Sequence, residues 1–500
     1  MKINLLHPAF VALCLLASPA VTCAKTDADE VLAIAVHIDT EVGGGRYGLR
    51  EIAGFLEENG VDGAVISDHD NAEITYGLPP FRSVVKKTRS FPSIEQYGPV
   101  EYLSGIEQAA REHPELILIP GAEAVPFYYW EGNPIRKNLT LMNWQEHMLV
   151  LGMNVPEHYK NLPAIHRGPG KQWNWFGVLA LFLPAGMIVA GVGITRMRIE
   201  NKLRFDRLTY KTVSRWPIVP GVFIIVLAVL VLIEMSPFHK REIDQYHGDR
   251  GALPYQKLIN YADSIGALTF WAHPEASVDT EYEGVMVRTE PYHEHLLETT
   301  GYDGFAIFWN GDREIGSPGG IWDQVLLQYT AGEREKPVWA IGELDWEGVA
   351  GGDLIAETLT ICYADERSAD GVLAAMKSGR MIAVRNGVWK KIEAMEFSVV
   401  NEAGQSVSNG GEMTVTLPPE IRLAMEYEAD CDLLSQVQLV RNGEIIARDT
   451  LESGSEWVFR DTEAPRPGKT WYYRMTVGRD FPVVATNPVF VIGSDKADGA

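Results

Sequence analysis

Hydrophobic and polar positions follow three different patterns along the chain. From residue 31 to about residue 385, short apolar runs alternate with amphipathic stretches. The runs cover 31–36, 63–67, 115–120, 148–153, 267–272, 304–308 and 338–341, and helical spacing marks 49–58, 100–112, 255–265 and 369–378. Short, continuous apolar runs fit strands buried on both faces, and strands that alternate with helices imply a parallel sheet. About seven such units predict a closed α/β barrel. After about residue 388 the pattern changes to short strand-like runs at 394–399, 412–416, 437–440, 457–459, 471–477 and 488–492, separated by turns such as Asn409-Gly410 and Asn442-Gly443. That spacing predicts a β-sandwich.

The alternating part is interrupted between its fourth and fifth runs. Residues 176–194 and 217–233 are apolar and free of charge, and each comes close to the ~20 residues that cross a bilayer core. Trp173, Trp175 and Trp216 stand at their edges, where an amphipathic ring prefers the headgroup level. The segment between them carries seven Lys or Arg against Glu200 and Asp206. The positive-inside rule therefore places this loop in the cytoplasm and both flanks outside. Residues 1–24 read as an export signal, with Lys2 its only charge and small residues at Ser18, Ala20 and Ala24, and they predict the same topology. The expected order is thus signal (1–24), first barrel part (25–170), two-helix membrane hairpin (171–239), second barrel part (240–388) and sandwich (389–500).

Composition sharpens this picture. The chain has 500 residues, room for two to four domains at roughly 100–200 residues each. Its net charge of −23 argues against nucleic acid as a partner, because phosphate neutralisation needs positive surface. Cys14 and Cys23 fall in the signal, leaving Cys362 and Cys431 as two free or buried thiols. No disulfide framework or cysteine metal site follows.

The chemistry-bearing residues gather beside the apolar runs. His37 and Asp39 follow the first, Asp68, His69 and Asp70 the second, and Glu123 the third. His147 opens the fourth, His273 follows the fifth, and Asp345 and Glu347 follow the last. In an α/β barrel the C-terminal strand edge assembles the site from several strands. Residues two apart in extended chain share a face, so His37 with Asp39, and Asp345 with Glu347, each aim two ligands at one point. Imidazole and carboxylate together suit Zn, Mn or Fe, and a carboxylate bridges two ions. His293 and His295 are expected to face solvent, and Gly43-Gly44-Gly45-Arg46 to form a flexible loop over the site.

The motifs His37-Ile38-Asp39, Ser67-Asp68-His69-Asp70, Gly121-Ala122-Glu123, His147-Met148-Leu149, Ala272-His273-Pro274 and Asp345-Trp346-Glu347 resemble, in order, those of the PHP (polymerase and histidinol phosphatase) superfamily. Asp303–Asn310, Ala374–Arg380 and the tail around Asn442-Gly443 and Asn487-Pro488 resemble its exported carbaryl-hydrolase-like subgroup. The resemblance covers about residues 30–390 without the membrane insertion. It implies a seven-stranded barrel, two or three divalent metal ions and phosphoester hydrolysis by metal-activated water. It further implies His37, Asp39, Glu123 and Asp345 around one metal, with Glu123 bridging to a second held by His147 and His273. His69 and Glu347 fall to a third, and Asp68 orients a ligand or binds directly and is the one candidate for a catalytic general base. Two positions depart from the pattern: Asp39 and Glu347 stand where the family usually has histidine. Both are hard oxygen donors and shift preference toward Mn, Mg or Fe.

The expected protein is therefore a metal-dependent hydrolase in the cytoplasmic membrane, with its main domains on the periplasmic or extracellular side. A phosphoester is the leading small-molecule substrate. A carboxyl or carbamate ester, and a sensor that binds ligand without turnover, are the alternatives. The sandwich is a candidate surface for an envelope partner.

Overall fold

The computed structural model describes residues 30–165, 175–205, 208–234, 243–348, 351–428 and 431–495. The expected signal at 1–24, with Cys14 and Cys23, and Trp173 lie outside them. Each of the seven apolar runs forms a strand: β1 (Glu30–Ile38), β2 (Gly63–Ile66), β3 (Ile117–Ala124), β4 (Met148–Leu151), β5 (Leu268–Trp271), β6 (Gly304–Phe308) and β7 (Trp339–Trp346). Neighbours pair in sequence order, and β7 pairs back onto β1, so the seven strands close into a barrel. Every residue of β2 to β6 is buried, which explains the unbroken apolar runs.

The barrel is not wholly parallel, and this corrects the sequence expectation. β4 runs antiparallel to both β3 and β5. After Ala124 the chain stays at the same edge through the strands Tyr129–Glu131 and Thr140–Met142, then enters β4 from there. No crossover carries it to the far end, so only antiparallel pairing is open to it. The first residue of β4, rather than its last, therefore meets the C-terminal ends of the other strands.

Helices α1 (Leu49–Glu58), α2 (Pro99–Glu112), α3 (Leu253–Ser264), α4 (Ile321–Thr330) and α5 (Ala369–Ser378) accompany the strands. α1 buries Ile52, Ala53 and Leu56, and α2 buries Tyr102, Leu103, Ile106 and Ala109, one stripe each at helical spacing. Pro99 opens α2, where its missing N–H has no intrahelical partner to lose.

Beyond α5 the sheet continues. Leu359–Ala364 pairs antiparallel with the first half of β1, Met381–Val384 pairs with it, and Val484–Thr486 and Thr470–Val477 extend the same sheet. A second sheet of Ser406–Ser408, Ile392–Val400, Glu420–Tyr427 and Ser455–Arg460 belongs to the tail alone. Asn442 and Gly443 both take positive φ, 50° and 85°, and join two antiparallel strands in a two-residue turn. At the seam, Arg474 and Asp323 of α4 form a buried bidentate pair (Nε–Oδ1 2.7 Å, Nη2–Oδ2 2.6 Å). Cys362 and Cys431 are free and buried.

Between β4 and β5, Val178–Arg196 is long and apolar enough to cross a membrane, while the apolar helix Ile218–Glu234 has 17 residues. The two helices meet at Gly191 and Gly221. A Cβ at Gly221 would lie 2.7 Å from the Gly191 carbonyl oxygen, so only glycine permits this approach. Phe182, Val189 and Phe223 point outward and are exposed. The basic segment linking the helices contains two antiparallel strands, Ile199–Phe205 and Leu208–Ser214.

Candidate metal centre

At the C-terminal edge of the barrel the backbone itself is distorted. His37, His273 and Asp345 have φ of 73°, 27° and 52°, a region that disfavours residues with a side chain. The β1 register shifts between Val36 and Ile38, on either side of His37. Such strain persists where surrounding structure enforces it, and it clusters at functional sites.

The distorted strand ends converge on Glu123, which is buried near the end of β3. His69 Nδ1 lies 2.7 Å from Glu123 Oε2, and His147 Nδ1 contacts Oε1. His37 Nε2 and His273 Nε2 each lie 3.4 Å from Oε1. Asp345 Oδ1 and Asp39 Oδ2 stand 3.8 and 4.0 Å from His37 Nε2. Two sets bring ligand atoms within 4.8 Å of one another: His69, Glu123 and His147, and His37, Glu123 and Asp345. Glu123 belongs to both. His69 thus groups with His147, whereas Glu347 stands exposed at the rim.

The far ring nitrogens are held in place. Glu343, fully buried in β7, contacts His37 Nδ1 through Oε1 and accepts the His273 backbone N–H through Oε2 at 2.8 Å. His147 Nε2 is 3.0 Å from the Trp144 carbonyl oxygen, and the Tyr292 hydroxyl is 3.1 Å from His273 Nδ1. Such outer contacts fix the ring orientation of metal-binding histidines. The seventh apolar run ends at residue 341 and so gives no sign of Glu343. The strand continues to Trp346, and Glu343, Asp345 and Glu347 follow a period of two that points to one face.

The charge balance inside the cluster is tight. Burial pushes the Glu123 carboxyl up, but His147, His69 and His37 outweigh it and hold it well below the usual range. Burial opposes protonation of His69 and His273, yet Glu123 and its neighbours raise them to about 10 and about 9. Burial, helped by the neighbouring His273 and His69, lowers His147 despite Glu123. Asp39 is raised well above the carboxylate range, chiefly by burial. His37 Nε2, Asp39 Oδ1, His69 Nδ1 and His147 Nδ1 are buried without a hydrogen bond of acceptable geometry. Buried polar atoms seldom go unpaired. Convergent nitrogen and oxygen atoms lacking hydrogen-bond partners are the donor set that divalent cations take, so the residues fit the metal ions that the motifs imply.

Asp68 faces a different task. Its Oδ1 accepts from the backbone N–H groups of Thr40 (2.7 Å) and Gly43 (2.6 Å), and the Thr40 hydroxyl lies 3.0 Å from each carboxylate oxygen. Burial nevertheless pushes its pKa up to about 6. A Cβ at Gly43 would come within 2.6 Å of Asp68 Oδ1 and 2.8 Å of Asp39 Oδ1, so the glycine is a requirement of close approach. The 43–46 segment is a tied turn, with Gly43 and Gly45 N–H donating to the Thr40 carbonyl and Arg46 N–H to that of Glu347. His295, expected in solvent, instead packs against buried Glu146 at 3.5 Å, and His293 lies 3.2 Å from Glu314.

No family model and no curated protein matches the sequence. Among solved structures, a two-domain protein from Bacteroides vulgatus containing a predicted PHP-like metal-dependent phosphoesterase is similar at 11% identity. The match covers 92% of this chain and 96% of that one, with a TM-score of 0.36. A proposed metal-dependent phosphoesterase from Bifidobacterium adolescentis matches at 15% identity over 64% and 89%, TM-score 0.26. An amidohydrolase from Chromobacterium violaceum, with bound sulfate and no metal, matches at 11% over 63% and 87%, TM-score 0.26.

Proposed function

We propose that this chain is a metal-dependent hydrolase of phosphoesters, with His37, Asp39, His69, Glu123, His147, His273 and Asp345 as its ligand pool. One observation carries the reading: a buried carboxylate ringed by four imidazoles, with buried donor atoms around it that lack hydrogen bonds. Divalent cations held there supply Lewis acidity, which polarises a phosphoryl oxygen and acidifies water. The protein's own part is positional. Glu343, Trp144 and Tyr292 set the imidazole rings, and Asp68 ties down the turn that presents Asp39. Glu347, at the rim with Arg46 beside it, is the outer ligand of a third ion.

The two apolar helices support a membrane tether, because their exposed Phe182, Val189 and Phe223 have no other apolar surroundings. In this reading the barrel and the sandwich beyond residue 388 lie on the extracytoplasmic side and the basic hairpin in the cytoplasm. Detergent-purified protein should hold stoichiometric metal and turn over phosphomonoesters or phosphodiesters. Turnover confined to carboxyl or carbamate esters would reassign the substrate, and absence of both metal and turnover would sink the hydrolase. The tether is tested separately, by resistance of the protein to carbonate extraction from membranes.

A further inference from the structure

Above the site edge lies a second apolar cluster, including Phe127, Tyr128, Leu141 and Ile165, which is separate from the barrel core. Beside it opens a cavity of about 450 Å3, within the ~300–1,000 Å3 typical of small-molecule sites. One wall is a hairpin of two strands, Glu73–Gly77 and Lys86–Ser90. Its cross-strand partners Ile74 with Arg89, and Tyr76 with Lys87, share one face. Leu141 and Val287 line the cavity as well. None of the candidate metal ligands lines it.

Position and charge identify the occupant. The backbone N–H of Ser83, at the hairpin tip, donates to Glu234 Oε2 at 2.9 Å, and Glu234 ends the apolar helix 218–234. The cavity mouth therefore stands where that helix leaves its apolar surroundings, with Leu78, Val84 and Val85 of the tip exposed beside it. Among the lining residues Lys86, Lys87 and Arg89 face a single carboxylate, Glu283. An apolar slot with a cationic rim at headgroup level matches a negatively charged lipid.

We propose that this cavity takes an acyl chain of an anionic phospholipid from the adjoining bilayer, with Lys86 and Lys87 at its headgroup. The site rests on the membrane reading of the two helices and is independent of the hydrolase reading. The test is native mass spectrometry of the EDTA-treated full chain in detergent, offered phosphatidylglycerol or phosphatidylcholine with the same acyl chains. Wild type retains one phosphatidylglycerol in clear preference to phosphatidylcholine. K86E/K87E, which changes two exposed side chains, lowers phosphatidylglycerol retention about tenfold or more. V287W fills the slot and lowers retention of both lipids. Equal retention of the two lipids by wild type overturns the site, as does unchanged retention in K86E/K87E with a native melting temperature. A chain that resists carbonate extraction but retains neither lipid loses the cavity proposal alone.

Discussion

The seam between barrel and tail and the site edge of the barrel both bury charge, and they settle it in opposite ways. At the seam, Arg474 meets Asp323 in two short parallel bonds, the Tyr472 hydroxyl adds a third at 2.8 Å, and the guanidinium lies 4.7 Å from the centre of the Trp322 ring. Opposite charges balance one to one. At the site edge, one carboxylate faces four imidazoles, with Asp39 and Asp345 close by and several donor atoms unpaired. A balanced pair is structural. At the site edge the imidazole–carboxylate attractions offset much of the desolvation, yet buried donor atoms stay without hydrogen bonds, and a divalent cation would complete them.

The largest effect that tests this contrast is Glu123→Gln, which removes the carboxylate common to both ligand sets. Bound metal, measured by elemental analysis, and turnover should both be lost while the fold survives; full metal content in this variant would refute the shared-ligand reading. Next comes Asp323→Ala, which leaves Arg474 buried and unpaired and should cost about 3–5 kcal/mol of stability. Chemical denaturation would show it, and the folded fraction should keep its metal. Replacing both partners by apolar residues, D323L with R474M, should restore most of that loss.

Glu343→Gln is a smaller perturbation. It should weaken metal binding about 10–100-fold, as expected for a group behind a ligand, with little change in the melting temperature of the metal-free chain. Finally, stability of the metal-free chain should depend on pH in a defined sense. His69 and His273 are raised from an ordinary 6.5 to about 10 and about 9. Their contribution is complete below 6.5 and lost as pH rises through 9 to 10. Melting temperatures of EDTA-treated protein should fall across that window, and those of the metal-loaded protein should fall less.

Much of this was legible in the sequence, for identifiable reasons. The seven barrel strands stand out because burial on both faces forces continuous apolar runs, and the candidate ligands stand out because they sit beside those runs. The direction of β4 was not legible, since a run of Met148–Leu151 reads the same both ways and only the chain on either side decides it. The hairpin Glu73–Gly77 with Lys86–Ser90 escaped notice because its second strand is largely exposed and polar. Glu343 was hidden by the assumed end of β7. His295 reads as solvent-facing because i and i+2 diverge on a helix, whereas Glu146 draws it inward.

The path of the chain into and out of the apolar helices has a kinetic consequence. Ile165, just before them, packs with Phe127 and Tyr128, and the Gln245 carbonyl, just after them, accepts the Trp130 N–H. Both anchor points lie at the barrel edge that carries the candidate metal ligands. The helices therefore depart from the edge that carries the candidate ligands rather than from the closed bottom, and under the proposed tether they would hold that edge toward the bilayer. Under that tether a substrate would arrive by lateral diffusion within a surface layer. For a lipid-like substrate, turnover should track its mole fraction in that layer and stay flat when the same mixture is diluted in bulk.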